Sequence, residues 1–283
     1  MMYIDKHLAS RMESCIKQTH IEVTKKYTQG KILEINNGAA CFSGFDSFLS
    51  QVVGWGFTTT SKQFKSEITA IEQFYKSLGH QRVDIELCPF IGNELAVFLN
   101  NRGYGIAELN NVSVLDLKHY KMETIFDDEF IIRKVQEHEI EIWAKKVASG
   151  FGFPEAQKQF SRYARAKGVT AFAALGKDQI IAGATIAMHD AVCDLGVTST
   201  LPAYRGKGVQ KKLLLTRLNF AKQQGLEFAT VTTEPGTVSD LNVQKIGFRC
   251  AYTRIKMTLE GSVAKFITGV NRKYFGRVYA ASP

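Results

Sequence analysis

The 283-residue sequence predicts a mixed α/β fold laid out twice along the chain. Three observations point there. Helical and strand-like segments alternate throughout, one ordered set of segments recurs in the second half, and a glycine-rich turn breaks only the second copy.

In the first copy, FKSEITAIEQFYKSLG (64–79) has apolar residues at helical spacing and ends in Gly79. A strand-like VDIELCPF (83–90) follows, then a short helix in GNELAVFLNNRGY and a strand in IAELNNVSVLDL. The second copy keeps that order. GVQKKLLLTRLNFAKQQG (208–225) is a helix ending in Gly225, followed by a strand in FATVTTEPG (228–236), a short helix in TVSDLNVQKIGF and a strand in CAYTRIKMTL. Gly79 and Gly225 share one offset, 146 (225 − 79), with Pro89 and Pro235; Gly103 and Gly247 differ by 144 (247 − 103). The matching offsets predict two related domains, 1–120 and 130–283, joined within 117–129. The second domain opens with a strand running into a helix over 131–152. A helix in PEAQKQFSRYARAKG comes next, then VTAFAAL, QIIAGATIAMH and VCDLGVTST as an antiparallel meander.

Composition narrows the classes of function. Hydrophobic residues make up 45% and charged residues 22%, which excludes wholesale disorder. No apolar run approaches the roughly 20 residues that cross a bilayer, and MMYIDKHLAS lacks the apolar stretch and cleavage site of a signal peptide. Five scattered cysteines, none as C-x-x-C, argue against a disulfide framework and a structural zinc site; a reduced, cytoplasmic chain without metal is expected. The net charge of +9 is spread along the chain and is compatible with a polyanionic small molecule, a nucleic acid or an acidic membrane surface. In the tail VAKFITGVNRKYFGRVYAASP, Arg272, Lys273 and Arg277 interleave with Tyr274, Phe275 and Tyr279. That pattern suits either base stacking or docking on the domain.

The turn in VTSTLPAYRGKGVQKKLLL carries the chemistry. Gly206 and Gly208 let successive N–H groups point into one concavity, and the helix that follows adds its unpaired N–H groups and positive dipole end. Arg205, Lys207, Lys211 and Lys212 add full charges. Such a site suits a pyrophosphate, while the Walker loop and the G-x-G-x-x-G pattern are both missing.

Pro202-x-x-Arg205-Gly206-Lys207-Gly208, with the helix behind it, resembles the acetyl-coenzyme A motif of the GNAT N-acetyltransferases, [RQ]-x-x-G-x-[GA]. Arg205 and Gly208 match; Gln210 stands where Gly or Ala is usual. The likeness covers about residues 130–260 and is greatest to two-domain members with a degenerate first repeat. Thr58–Phe64 (TTTSKQF), at the matching place in the first half, has no glycine. The resemblance implies two tandem domains, each a mixed, mostly antiparallel sheet flanked by helices, with one acetyl-CoA held by the second.

The implied reaction is direct attack of a deprotonated primary amine on the thioester, with CoA thiolate leaving. Thr198, Ser199 and Thr200 would line the pantetheine arm, and Arg205, Gly206, Lys207, Gly208, Val209, Gln210 and Lys211 would hold the phosphates. Ser239 and Asn242 would contact pantetheine or thiolate. The Tyr that the family places four residues before the closing Gly-Phe is Val243 here, which makes Tyr252 the nearest candidate acid. For the base, Glu234 stands at a strand end, with Asp194 and His189 as rivals. A non-catalytic acyl-CoA sensor is the alternative, with a nucleic-acid-binding protein behind it. The acceptor stays open among a small metabolite, an aminoglycoside-like drug, a peptide N-terminus and a lysine side chain.

Overall fold

The recurring segments become recurring elements. The computed structural model describes residues 3–45, 47–125 and 129–261. Its first half runs α1 (Lys6–Thr24), β1 (Lys31–Ile35), β2 (Gly38–Phe42), β3 (Val52–Val53), α2 (Phe64–Ser77), β4 (Arg82–Leu87), α3 (Glu94–Asn101) and β5 (Gly105–Asp116). The second half begins with β6 (Ile131–Lys134), α4 (Ile140–Phe151), α5 (Gln157–Ala164), β7 (Val169–Gly176) and β8 (Gln179–His189). It continues through β9 (Val192–Asp194), β10 (Thr198–Thr200), α6 (Val209–Gln223), β11 (Phe228–Thr233), α7 (Val238–Ile246) and β12 (Arg249–Glu260). The set α2–β4–α3–β5 returns as α6–β11–α7–β12.

Local chemistry starts several of these elements. Asp5 caps α1 by accepting the Leu8 N–H at 2.8 Å. Thr237 caps α7 by accepting the Asp240 N–H at 3.3 Å. Ahead of α4, the Glu139 carboxylate takes the Gln136 N–H at 3.0 Å and both terminal nitrogens of Arg133 at 2.6 Å, joining the strand before the helix to the helix itself.

The twelve strands of the described residues form one sheet, ordered β1-β2-β3-β4-β12-β5-β11-β9-β8-β7-β6, with β10 paired to β8. As the resemblance implied, most pairs are antiparallel and helices cover both faces. The order also holds something the repeat did not foretell. β5 does not pair with β4, the strand before it in its own copy. It lies between β12 and β11, with Val112 opposite Thr232, while β12 lies between β4 and β5, with Met257 opposite Ile85. The two copies have exchanged their last strands, so each half's sheet is completed by the other.

A buried charge network ties the exchanged strand down. From β12, Arg254 reaches Glu13 of α1 at 2.8 Å and Glu86 of β4 at 3.1 Å. Lys256 reaches Glu108 of β5 at 3.1 Å, and the Tyr252 hydroxyl donates to Glu13 at 2.6 Å. Removing one partner of such a network would strand a buried charge, at a cost of about 3–5 kcal/mol. The apolar packing divides by face. α6 and α7 bury Leu213, Leu214, Leu218 and Val243 on one face. α4 and α5 bury Trp143, Val147 and Phe160 on the other, together with Val23 and Leu49 from the first half.

Candidate active site

The site begins as a fork in the sheet. β9 is parallel to the first half of β11, with Asp194 opposite Thr230, and the Leu195 N–H still reaches the Thr230 carbonyl at 2.8 Å. After Leu195 the strands part. β10 continues against β8 only, while Val231–Thr233 keep their ladder with β5 on the far side. The edges of β10 and β11 that face each other therefore have no ladder partner among the described residues, and a slot opens between them.

A buried cation holds the fork. Arg217 of α6, 2% exposed, donates to the Thr185 carbonyl at 2.8 Å and the Gly196 carbonyl at 3.2 Å, satisfying oxygens that the split leaves without a strand partner. Burial lowers its pKa to about 10, so it stays charged at neutral pH. In the sequence the signal for Arg217 was a charge on the apolar stripe of α6, in line with Leu213, Leu214 and Leu218.

At its outer end the fork leads into the glycine turn. Gly206 and Gly208 sit at φ +74° and +78° with open space where a side chain would start. Gly208 is the N-cap of α6, and no side chain caps that helix. Its first N–H groups thus face a cleft of about 490 Å³ with Thr198, Ser199, Thr200, Gly206, Gly208 and Gln210 among its walls. Lys211, Val238, Asn242 and Lys245 extend the cleft between α6 and α7. Gln210 spans the two helices, accepting from Asn242 Nδ2 at 3.0 Å and donating to the Ser239 hydroxyl at 3.4 Å.

The remaining residues singled out from sequence have other surroundings. The Arg205 guanidinium donates to the carbonyls of Thr200 (3.2 Å) and Gly150 (2.8 Å), so it pins the turn against α4 rather than standing free for a phosphate. Ser199 donates to the Val147 carbonyl at 2.9 Å, which turns its hydroxyl toward α4. Val209 buries its side chain in the core and can offer only its N–H. Lys207 is exposed and lies over the Tyr204 ring.

Both candidate catalytic side chains lie away from the cleft. Tyr252 is buried at the centre of the sheet, bonded to Glu13 and packed against Phe90, because the strand exchange carries β12 away from the fork. Glu234 is exposed beyond the end of β11 and is not among the residues that line the cleft. Asp194 is the carboxylate that does stand in the fork. It is 8% exposed, accepts from Thr230 Oγ1 at 3.3 Å, and has its pKa raised to about 6 by burial against the lowering pull of Arg254, Thr230 and Arg217. A side chain on Gly196 would begin 3.0 Å from Tyr163 Oη, 3.2 Å from Asp194 Oδ2 and 3.6 Å from Thr185 Oγ1, so these groups converge where the sheet splits. No motif in the sequence announced Tyr163, which reaches the fork from α5. The basic and aromatic residues of the tail lie outside the described residues.

Residues 133–248 match the model of the acetyltransferase (GNAT) family. No curated protein matches the sequence. Among solved structures, a GCN5-related N-acetyltransferase from Kribbella flavida is 15% identical and has a TM-score of 0.66, over 90% of this chain and 98% of that one. A tandem GNAT protein from the clavulanic acid biosynthesis pathway, determined without AcCoA, is 12% identical with a TM-score of 0.60, over 90% and 94%. A GCN5-related N-acetyltransferase from Sphaerobacter thermophilus is also 12% identical with a TM-score of 0.60, over 89% and 91%. Residues 133–248 therefore match the acetyltransferase (GNAT) family, and the chain has the fold of the GCN5-related N-acetyltransferases.

Proposed function

We propose that the protein transfers the acetyl group of acetyl-CoA to a primary amine and binds one acetyl-CoA per chain. The observation that carries this reading is the continuity of the fork with the uncapped start of α6. One slot offers free strand edges for an amide-bearing arm and, at its outer end, helix N–H groups for a pyrophosphate. The residues present fit the cofactor. The turn glycines have open space, Lys211 and Lys245 bring positive charge to the cleft, and Asn242 and Ser239 offer polar atoms beside it.

When bound, the cofactor supplies an activated acyl thioester; the chain supplies position and proton handling. Backbone N–H groups on the free edge of β10 would hold the acyl oxygen and steady charge developing there. Asp194, buried in the fork, is ionised above about pH 6 and is the group suited to take a proton from the incoming ammonium. Tyr163, beside it, has the hydroxyl suited to return a proton to the departing sulfur.

Calorimetric titration with acetyl-CoA and thiol release over a panel of primary amines test the proposal. One equivalent bound, with amine-dependent thiol release, is expected. Binding without release on any amine would turn the reading toward an acyl-CoA sensor, and failure to bind would overturn it.

A further inference from the structure

The exchange of β5 and β12 has an equivalent alternative. The two strands lie side by side and antiparallel, with Arg254 opposite Asn110. Asn110 is also the residue 144 places before Arg254, the offset that relates Gly103 to Gly247. A local twofold therefore passes between the strands at this pair, and the backbone of either could take the other's place. In that alternative each copy would keep its own last strand, with β5 beside β4 and β12 beside β11.

Side chains on four strands tell the two arrangements apart. β4 carries Glu86, 1% exposed, and the matching residue of β11, 146 places on, is Thr232. β12 carries Arg254 and Lys256, both buried, and the matching residues of β5 are Asn110 and Val112. With β12 beside β4, Lys256 stands opposite Glu86 in the ladder and its Nζ lies 3.6 Å from Glu86 Oε1, while Arg254 bonds both Glu86 and Glu13. Against the upward push of burial, Arg254, Lys256 and His20 hold the Glu86 carboxyl below its ordinary value, so it is ionised. In the alternative, Val112 would face that buried carboxylate and Asn110 would face Glu13. Arg254 and Lys256 would be carried to the threonines of β11, away from both acids.

The next position along β5 favours the same arrangement. Asn111 donates to Asp240 of α7 at 3.4 Å and accepts from Thr253 at 2.9 Å, tying β5 to the helix that walls the cofactor cleft. Its match in β12 is Ile255, which could make neither bond.

We infer that buried charges choose the exchange: Glu13 and Glu86 draw Arg254 and Lys256, and with them β12, into the sheet of the first copy. Apolar alternation, which β5 and β12 share, does not distinguish the two strands. The choice reaches the fork, because the strand that backs β11 there is then β5, a strand of the first copy.

Methyl contacts in the NMR spectrum of the full-length chain report the arrangement. Val83 of β4 stands opposite Leu259, and the residue 144 places before Leu259 is Leu115. A nuclear Overhauser contact from Val83 to Leu259 marks the exchanged form, and one from Val83 to Leu115 marks the alternative. The wild-type chain should show the first alone, with the alternative below about one part in a hundred. Glu13→Gln, Glu86→Leu, Arg254→Met and Lys256→Met together remove the charges at similar volume, and the glutamine keeps an acceptor for the Tyr252 hydroxyl. That variant should give two sets of signals, with populations within about tenfold of each other. Moving the charges instead, with Asn110→Arg, Val112→Lys, Arg254→Asn and Lys256→Val, should reverse the preference by at least about tenfold. Retention of the Val83–Leu259 contact alone in either variant would overturn the inference. So would loss of folding by the charge-free variant, because the network would then hold stability rather than choice.

Discussion

The helices α2 and α6 hold matching places in the two copies, and neither start has a side-chain cap, yet what stands around their first turns differs. Before α2, Trp55 is 1% exposed, packed among Phe64, Ile68 and Leu95, and its indole N–H donates to Glu67 at 2.6 Å. The same carboxylate accepts from Thr59 at 2.9 Å and from Asn36. Glu67 is the fourth residue of α2 (64 to 67), and the fourth residue of α6 is Lys212 (209 to 212). In the first copy, then, the first turn carries a carboxylate of the chain's own, held by an indole and a threonine. In the second, glycine and lysine leave that end open. The two turns thus differ by more than glycines, because the first also carries a carboxylate where the second carries a lysine.

The contrast can be broken at several points. Asp194→Asn should have the largest effect, lowering kcat/KM by about 10²–10⁴ while acetyl-CoA affinity holds. The wild-type rate should rise with pH through about 6 and level off above it, because the ionised carboxylate is the active form, and the amide variant should lose that limb. Steady-state kinetics from pH 5 to 8, a window of the order set by that pKa, would decide it. Next comes Gly208→Asp, which puts a side chain at φ +78° and a negative charge at the start of α6. Acetyl-CoA should bind about 100-fold more weakly, and unchanged binding would sink the phosphate role of the turn. In the first copy, Glu67→Ala should cost about 1–3 kcal/mol of stability in urea melts by leaving the Trp55 N–H unpaired. It should leave one acetyl-CoA bound per chain, since Trp55 still fills the place; a second equivalent would show that charge alone kept the first copy shut. The smallest change is expected from Lys211→Ala, about two- to threefold in acetyl-CoA affinity and weaker still at high salt, because its charge is exposed.

Much of this architecture was legible in sequence because it rests on local signals. Helix spacing, the glycines after α2 and α6, and the R-G-K-G turn each act within a few residues. The strand exchange was not legible, because β5 and β12 have the same alternating character whichever neighbour they pair with. That one hidden fact misplaced Tyr252, which sequence order sets near the turn and the ladder sets beside Glu13. The convergence at the fork was hidden for a similar reason. Tyr163 and Asp194 come from separate stretches of chain and meet only beside Gly196. Glu234 drew notice as a carboxylate at a strand end, but it is exposed and stands outside the residues that line the cleft.

The exchanged strands also set an order of assembly. β12 is the last described strand to leave the ribosome, yet it belongs between β4 and β5 in the middle of the sheet. Until it arrives, β4 has an unpaired edge in the interior, and β5 has only one of its two neighbours once β11 has emerged. Neither copy's share of the sheet is complete before β12 takes its place between β4 and β5.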